Sequence, residues 1–311
     1  MQIILSDRNL ENYEFPNNIE IKIINLKTLD NYNNNQNVIA IVGSRAMAIK
    51  CAQMNLPNLK LFQLTSAGFD GVPLEKFVES NVLISNAGNV YSAPIAETVV
   101  FGILSVAKRL RKNPNNRLFK ITRGYSLITE LSEKKVLIMG AGNIGTAVAD
   151  RLKGFDMTID GYDPFCQEKP QYRKIIRNRS DLINFIGDYD YIVSTMPDND
   201  QTKRFINKEL FDVMSSNAFV INVGRRAVFN EKDFYFALKC KKISGAVLDI
   251  FEKLPNPITN KFRRLSNVIV LPGVAAISKE VNIRLKDHIY KNLISLIDNT
   301  TIDCVISGGI K

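Results

Sequence analysis

Short apolar runs alternate with stretches of helical periodicity along most of the chain. Such runs, bounded by turn residues, are typical of strands buried on both faces, and helices between them indicate parallel pairing. The pattern predicts an α/β fold with two series of strands. The first series is Gln2–Leu5, Ile21–Leu26, Val38–Val42, Lys60–Leu64 and Val82–Ser85, and the second is Lys135–Met139, Met157–Tyr162, Tyr191–Thr195, Ala218–Val223, Gly245–Asp249 and Val268–Leu271.

Two long helices are predicted on either side of the second series of strands. Pro94 lies near the first turn of a helix predicted over Ile95–Arg111, a position that suits proline because no intrahelical N–H is needed there. The pair Asn113-Pro114 is predicted to end this helix. The other helix is predicted over Lys279–Ile297, after the last strand.

The length of 311 residues suits two domains rather than one core. Hydrophobic residues make up 45% and charged residues 23%, an ordinary balance for a globular protein. No apolar run approaches the ~20 residues of a membrane helix, and the first residues lack the apolar segment of a secretion signal. We therefore expect a cytoplasmic protein without a membrane partner.

The cysteine and histidine content argues against a disulfide scaffold and against a metal site. The four cysteines lie far apart with no Cys-x-x-Cys pair, and His288 is the only histidine. We therefore expect free thiols and no metal.

The formal net charge of +10 is compatible with several kinds of anionic partner. A basic surface attracts dinucleotides and small acids as well as nucleic acids. The basic residues are scattered, and the cluster over 108–112 has no interleaved aromatic residue. We expect no nucleic-acid partner. Nucleic-acid binding is less favoured than either of the two functional hypotheses given at the end of this section, an enzyme and a binding protein.

A glycine-rich turn follows the predicted strand Lys135–Met139. It reads Gly140-Ala141-Gly142-Asn143-Ile144-Gly145 and leads directly into a helical pattern. In this spacing the first glycine permits the tight turn, the second lets the backbone approach a pyrophosphate, and the third allows close packing of helix and strand. Backbone N–H groups at the helix start then receive the phosphate charge. The motif predicts a Rossmann domain that binds a dinucleotide.

A carboxylate follows at the position expected for a contact with the adenosine ribose. The predicted strand Met157–Tyr162 is followed by Asp163, which lies 18 residues after Gly145. An acidic residue at about this distance accepts hydrogen bonds from the ribose hydroxyls and repels a 2′-phosphate. Because no arginine stands directly beside Asp163, the sequence favours NAD over NADP.

Three further segments accompany this motif. Thr65-Ser66-Ala67-Gly68-Phe69-Asp70 follows an early strand, Pro94-Ile95-Ala96-Glu97 opens the first long helix, and Ile221-Asn222-Val223-Gly224-Arg225 ends a late strand. Together with the glycine-rich turn they resemble the D-isomer-specific 2-hydroxyacid dehydrogenase family. That family includes phosphoglycerate dehydrogenases, glyoxylate and hydroxypyruvate reductases, and formate dehydrogenase. The resemblance extends over nearly the whole chain.

The resemblance implies an architecture of two doubly wound, Rossmann-like parallel-sheet domains with the active site in the cleft between them. The substrate domain would be discontinuous, with residues 1–95 completed by residues 280–311. Residues 96–279 would form the NAD-binding domain. The implied reaction is hydride transfer between NAD(H) and a small 2-hydroxy or 2-oxo acid, and the implied assembly is a homodimer.

The resemblance also assigns roles to individual residues. Arg225 is implied to be catalytic, because a guanidinium can hold the substrate carboxylate and polarise the adjacent carbonyl. Ala67 and Gly68 are implied to bind substrate through their backbone amides, together with Tyr91 on the loop before the first long helix. The implied cofactor-binding residues are Gly140, Gly142, Asn143, Ile144, Gly145, Asp163, Met196, Pro197, Thr202, Val223, Gly224, Asp249 and Gly273.

The chain departs from the family pattern at the two positions that serve proton transfer. The family has a glutamate five residues after the aspartate that corresponds to Asp249, and a histidine after the proline of the last strand. Here these positions are Leu254 and Gly273. In the family the glutamate orients the imidazole, which exchanges a proton with the substrate oxygen. Tyr91, Lys279 or a bound water is a candidate substitute.

The missing pair leaves two functional hypotheses open. Acid–base assistance typically contributes ~10²–10⁴-fold, whereas positioning and charge stabilisation often contribute more, so hydride transfer can survive its loss. Retention of Arg225 favours an enzyme, since a pure binding module has little need for that cation. The alternative is an NAD-binding sensor or scaffold protein of the same fold without dehydrogenase activity.

Overall fold

The computed structural model describes residues 1–109, 128–249 and 261–306. Within these ranges the strands are β1 (Gln2–Ser6), β2 (Ile19–Ile23), β3 (Val38–Gly43), β4 (Leu61–Leu64), β5 (Leu83–Ser85), β6 (Lys135–Met139), β7 (Thr158–Tyr162), β8 (Ile175–Ile176), β9 (Tyr191–Ser194), β10 (Phe219–Asn222), β11 (Gly245–Leu248) and β12 (Val268–Val270). The helices are α1 (Arg45–Cys51), α2 (Leu74–Glu79), α3 (Ser92–Ala107), α4 (Asn143–Leu152), α5 (Arg179–Phe185), α6 (Lys208–Val213), α7 (Glu231–Lys239) and α8 (Lys279–Ile297). None of the described helices is both long and apolar enough to cross a membrane.

The chain forms two compact units, Met1–Tyr91 with Ser278–Lys311, and Ser92–Ile277. The smaller unit contains a sheet of strand order β2-β1-β3-β4-β5 in which neighbouring strands run parallel. Every residue of β3 is buried, as expected for a strand in a sheet covered on both faces. One of its two cores includes the apolar face of α8, formed by Val281, Leu285, Ile289 and Leu293.

The larger unit contains a parallel sheet of strand order β12-β11-β10-β9-β6-β7-β8. The order of connection reverses between β6 and β9. In an open parallel sheet, ligands bind in the crevice outside the carboxyl ends of the strands at such a reversal. The loops after β6, β9 and β10 therefore define the place where a ligand of this unit is expected.

A charged cluster closes the far edge of the larger sheet. Asp160 lies inside β7 with no exposed surface. Its carboxylate accepts hydrogen bonds from Arg173 Nε at 3.0 Å, Arg173 Nη2 at 2.6 Å and the Tyr189 hydroxyl at 2.7 Å. Burial, together with the hydrogen bond to Asp160, raises the pKa of Tyr189. These contacts tie β7 to the segments that precede β8 and β9.

Several helices begin after a residue whose polar side chain caps the helix. Side chains at the N-cap positions Ser44, Asn178 and Ser278 accept hydrogen bonds from backbone N–H groups of the first turns of α1, α5 and α8. The N-cap of α4 is Gly142, which has no side chain to fill this role. The first turn of α4 is therefore left open to a ligand.

The predicted α/β fold with two parallel, doubly wound sheets is confirmed. The first long helix differs from its prediction because α3 begins at Ser92 and ends at Ala107 rather than at Arg111. Arg109 has a φ of +57°, a left-handed conformation that a helix cannot continue through. The predicted stop at Asn113-Pro114 lies outside the described residues.

Candidate functional site

The glycine-rich turn lies at the carboxyl end of β6, and its glycines are required for different reasons. Gly140 has a φ of +98°, and a Cβ on it would lie 2.8 Å from Thr195 Oγ1. A Cβ on Gly145 would lie 2.0 Å from the carbonyl oxygen of Gly140. In contrast, no atom of the described residues lies within 4 Å of a Cβ built on Gly142. The protein itself excludes side chains at the first and third glycines, whereas the second faces open space.

The start of α4 fits an anionic group. Gly142 and Asn143 are exposed, and the N–H groups of the first helical turn have no partner within the helix. Such N–H groups and the positive end of the helix dipole bind phosphate. The open space at Gly142 lies directly in front of them, so the residues present fit the pyrophosphate of a dinucleotide.

Asp163 is held in place by backbone amides. Its Oδ2 accepts from the N–H of Ala141 at 3.0 Å, and its Oδ1 accepts from Phe165 and Cys166 at 3.0 and 3.2 Å. The carboxylate is thus fixed beside the glycine-rich turn, and Oδ2, which accepts one of these bonds, keeps a lone pair for a further donor.

Lys169 is a residue of this region that the sequence did not reveal. Its Nζ donates to the carbonyl of Ala141 at 2.6 Å and lies 3.2 Å from Thr146 Oγ1. It therefore places a positive charge against the phosphate-facing turn. Lys169 stands in a loop without periodicity or motif, so no sequence signal could have placed it there.

The loops after β9 and β10 meet the glycine-rich turn. The Thr195 hydroxyl donates to the carbonyl of Gly140 at 2.8 Å. A Cβ on Gly224 would lie 3.0 Å from the carbonyl oxygen and 3.1 Å from the nitrogen of Met196. Val223 donates its N–H to Ser194 at 3.3 Å. Gly140, Met196, Val223 and Gly224 are thus brought together at the reversal of the sheet.

The rest of the loop after β9 is held by its own turn. The Thr202 hydroxyl donates to the carbonyl of Pro197 at 2.7 Å. Pro197 is exposed. The hydroxyl of Thr202 therefore orders this loop.

The two arginines after β10 take different directions. Arg225 is half-buried, and its Nη1 lies 3.3 Å from the carbonyl oxygen of Gly224. Arg226 is exposed and donates to Oε2 of Glu231 from both Nε, at 2.9 Å, and Nη2, at 2.6 Å. Arg225 therefore stays at the strand end, while Arg226 is committed to a neighbouring carboxylate.

Asp249 and Gly273 lie together after β11 and β12. The buried carboxylate of Asp249 accepts from the N–H groups of Val274 at 2.9 Å and Ala275 at 3.0 Å. Gly273 has a φ of +75°, and within the described residues a Cβ built on it would have one neighbour, the carbonyl oxygen of Asp249 at 3.9 Å. Among those residues, the position of the family histidine is thus open space on a backbone that favours glycine. Leu254 lies outside the described residues.

In the smaller unit, the segment after β4 forms a compact loop. The Ser66 hydroxyl donates to the carbonyl of Gly68 at 2.7 Å, and the Asn86 side chain donates to the carbonyl of Ala67 at 2.8 Å. Among the hydrogen bonds of the described residues, none uses the N–H of Ala67 or Gly68 as donor. These two amides are available to an anionic ligand.

Tyr91 and His288 support this loop. The Tyr91 hydroxyl donates to the carbonyl of Thr65 at 2.6 Å, and burial raises the pKa of Tyr91. His288 on α8 lies with Nε2 2.9 Å from the carbonyl oxygen of Asn86, and this carbonyl makes Nε2 the donor. Neither residue was predicted from sequence to hold the loop, because each joins it from a separate element.

Comparison with known proteins agrees with this arrangement. The sequence model of the D-isomer specific 2-hydroxyacid dehydrogenase NAD-binding domain matches residues 100–275, more than half of the chain. The chain belongs to this family. Family membership confirms the resemblance inferred from the motifs, and the matched residues lie within the larger unit.

Relatives in this 2-hydroxyacid dehydrogenase family match most of the chain. A glyoxylate/hydroxypyruvate reductase of Arabidopsis thaliana is 29% identical over 262 residues, 83% of this chain and 82% of the relative. A glyoxylate reductase of Thermofilum pendens is 29% identical over 248 residues, 78% of this chain and 73% of the relative.

Solved structures of the family share the fold. A D-isomer specific 2-hydroxyacid dehydrogenase family protein from Aeromonas salmonicida has a TM-score of 0.82 and 25% identity, and the match covers 98% of this chain and 99% of that one. An NADPH-dependent glyoxylate/hydroxypyruvate reductase from Sinorhizobium meliloti, solved with NADP and malonate, has a TM-score of 0.74 and 19% identity over 98% and 96% of the two chains. At this identity the second likeness shows the fold alone.

Proposed function

We propose that this chain is an NAD-dependent oxidoreductase of small 2-hydroxy and 2-oxo acids. The smaller unit, with its boundaries near residues 95 and 280, would be the substrate domain, and the larger unit would be the NAD-binding domain. The observation that carries the proposal is the pair of arginines after β10. Arg226 is committed to Glu231, while Arg225 stays beside Gly224 at the strand end where a ligand is expected. When bound, the nicotinamide accepts or supplies the hydride.

The residues of the chain would divide the remaining work. The amides of Ala67 and Gly68 bind the substrate carboxylate, and Arg225 stabilises the negative charge that develops on the substrate oxygen. Gly142, Asn143, Ile144 and the first turn of α4 bind the pyrophosphate. Pro197 and Thr202 border the adenosine, and Asp249 faces the carboxamide while fixing the loop at Gly273.

We propose water as the proton donor in the reductive direction. Tyr91 is a poor candidate because its O–H is donated to Thr65 and its pKa is raised, which makes it a weaker acid. The open space at Gly273 has room for water where the family has an imidazole.

Two adjacent arginine variants test the proposed reaction. NADH oxidation is measured with glyoxylate, hydroxypyruvate, pyruvate and longer 2-oxo acids. We expect Arg225→Ala to lower kcat/KM by about 10²–10³-fold, as for loss of a preorganised group that stabilises an oxyanion. Arg226→Ala is the matched control and should keep activity within a few-fold, because Arg226 contacts Glu231 instead.

The alternative is a protein of the same fold that binds NAD without catalysing hydride transfer, as the absent glutamate and histidine suggest. Tight NADH binding without turnover of any of these acids would favour this sensor or scaffold and contradict the proposed reaction. Equal losses in the two arginine variants would contradict the role of Arg225.

We propose NAD rather than NADP as the cofactor, on the basis of Asp163. Its fixed carboxylate accepts hydrogen bonds from ribose hydroxyls and repels a 2′-phosphate, although Lys169 places one cation nearby. Fluorescence titration should give a Kd for NADH at least about tenfold lower than for NADPH, a difference of ~1.4 kcal/mol. Asp163→Asn should reduce this ratio, whereas Glu168→Gln, beside it in the same loop, should not. Equal affinity in the unaltered protein would contradict the choice.

We also propose a homodimer, as the family resemblance implies. The helix α3 supports this proposal because Phe101 in its middle is 54% exposed, whereas Val99, Gly102 and Ile103 beside it are buried. A large aromatic side chain exposed on a mostly buried helix is typical of an interface.

A further inference from the structure

A basic cavity lies beside the loops of the candidate site in the larger unit. Its volume is about 550 Å³, within the range of small-molecule sites. Five cations line it, with one carboxylate: Lys203, Arg204, Arg226, Lys232, Lys261 and Glu231.

Two of these cations are in contact with the carboxylate of the lining. Glu231 contacts Arg226 at 2.6 Å and Lys261 at 2.7 Å. Burial opposes ionisation of Glu231, but Lys261 and Arg226 outweigh it and hold the pKa of Glu231 below its usual value. The three other cations are not in contact with Glu231. Lys203, Arg204 and Lys232 form no ion pair with any residue of the described ranges.

The backbone holds one of these cations in an unfavourable conformation. Arg204 has a φ of +54°, a left-handed conformation that is uncommon for arginine. Its N–H donates to the carbonyl of Ala227 at 2.7 Å, and Ile206 donates to Val228 at 3.0 Å. These bonds align the segment of Lys203 and Arg204 with the segment that carries Arg226. Strained residues that the surroundings hold in place are characteristic of ligand sites.

The arrangement has the properties of an anion site. Cations that are held together without counter-charges repel one another, and an anion of high charge density relieves that repulsion. Arginine binds phosphate oxygens in a bidentate manner, and lysine adds a point charge. A monoanion would leave most of the positive charge uncompensated, whereas a diphosphate or triphosphate group matches it.

We propose that this cavity binds a ligand carrying a diphosphate or triphosphate group, at a site separate from the glycine-rich turn. The proposal does not depend on the proposed hydride transfer.

Calorimetric titration tests the site in the whole protein saturated with NADH, so that the glycine-rich turn is occupied. Inorganic pyrophosphate and tripolyphosphate are the probes at low ionic strength. We expect one site, with affinity that falls as salt is raised. Arg204→Gly and Lys232→Ala should each weaken binding about tenfold, the effect of losing one charge-assisted contact.

The choice of variants keeps the fold intact. Glycine adopts the left-handed conformation of Arg204 without strain, and Lys232 is exposed. Lys241→Gly is the matched control, because Lys241 is also an exposed cation with a φ of +54° but does not line the cavity. Its affinity for pyrophosphate should equal that of the unaltered protein.

Further probes identify the rest of the ligand. Equal affinity for ATP and tripolyphosphate would mean that the phosphate chain alone is bound, and tighter binding of ATP would add a nucleoside contact; both support the proposal. Absence of binding, competition with NADH, or equal losses in Lys241→Gly would overturn it. Duplex DNA is a further probe. If it bound more tightly than tripolyphosphate, and if this binding were lost in Arg204→Gly and Lys232→Ala, the proposal would also be overturned.

Discussion

Single residues of the glycine-rich turn show how packing and binding can be separated. Gly140 and Gly145 are needed by the protein itself, since side chains there would meet Thr195 Oγ1 and the backbone of Gly140. A Cβ on Gly142 would meet no atom of the described residues. Its smallness therefore has no packing reason there, which agrees with the proposed approach of a pyrophosphate.

Alanine at each glycine should therefore give a different result. We expect Gly145→Ala to lower the free energy of unfolding by about 1–3 kcal/mol, as overpacking does. Gly142→Ala should unfold at the same denaturant concentration as the unaltered protein and yet bind NADH at least about tenfold more weakly. Urea unfolding and fluorescence titration measure the two effects.

Gly154→Ala is the control for this pair, because no atom of the described part of the chain lies within 4 Å of its Cβ position and it stands away from the glycine-rich turn. It should change neither quantity. Unaltered NADH affinity in Gly142→Ala would show that the turn does not bind the pyrophosphate.

The missing imidazole at Gly273 has a consequence for pH dependence. With water as the donor, the proposed proton transfer does not use an imidazole, whose pKa lies near ~6.5. We expect kcat/KM for reduction of a 2-oxo acid to stay level from about pH 5.5 to 8. Steady-state rates across this range measure it.

A fall in kcat/KM near pH 6.5 would contradict water as the sole donor. Disappearance of that fall in His288→Gln would transfer the role to His288, which now lies against Asn86. A fall that persists in this variant would assign it to a group other than the only histidine.

Much of the candidate site was predictable from sequence because its residues follow strands directly. Gly140, Met196, Gly224 and Asp249 each stand just after a recognisable apolar run, and parallel strands bring such positions to one edge. Lys169 and the cluster of Arg204, Arg226 and Lys261 could not be predicted. Their contacts depend on the paths of loops, for which hydrophobic periodicity carries no information.

Helices and strands could likewise be predicted where an apolar pattern is long, and could not be predicted where it is short or absent. The strand β6 and the helix α8 have the predicted bounds because their apolar patterns are long and end at clear turn or capping residues. The strand β8 was missed, since two residues form no period. The end of α3 was placed too late because the left-handed conformation of Arg109 has no signature in an arginine side chain.

In the charged cluster of β7, removal of the arginine should lower the free energy of unfolding more than neutralisation of the aspartate. Asp160 is fully buried, while the side chain of Arg173 is 58% exposed. In Arg173→Ala the buried carboxylate keeps Tyr189 as its one side-chain donor among the described residues. We expect the free energy of unfolding to fall by about 3–5 kcal/mol. In Asp160→Asn the guanidinium of Arg173 is solvated instead, and we expect the free energy of unfolding to fall by about 1–3 kcal/mol.

Urea unfolding measures both variants. Arg177→Ala, which removes an exposed ion pair with Glu168, is the control and should change stability by less than about 1 kcal/mol. A larger loss for Asp160→Asn than for Arg173→Ala would show that the buried charge is not the controlling factor.

For the whole molecule, the proposed dimer gives a prediction for Phe101. A charge introduced into an apolar interface is unfavourable by several kcal/mol, so Phe101→Glu should shift the protein from dimer to monomer in sedimentation equilibrium. Phe236→Glu is the matched control because Phe236 on α7 is 53% exposed and is not part of the proposed interface. A monomeric unaltered protein, or equal dissociation of both variants, would contradict the interface.

The smaller unit is built from two separate segments of the chain, and this has a consequence for folding during synthesis. Its core needs Val281, Leu285, Ile289 and Leu293 from α8, which leave the ribosome after the whole of Ser92–Ile277. The dinucleotide-binding unit can therefore fold while the first ninety or so residues still lack part of their core. During synthesis, affinity for the cofactor should appear before the loop after β4, which is proposed to bind the substrate, is ordered. A released chain that ends at Ile277 should bind NADH and remain sensitive to protease near its amino terminus.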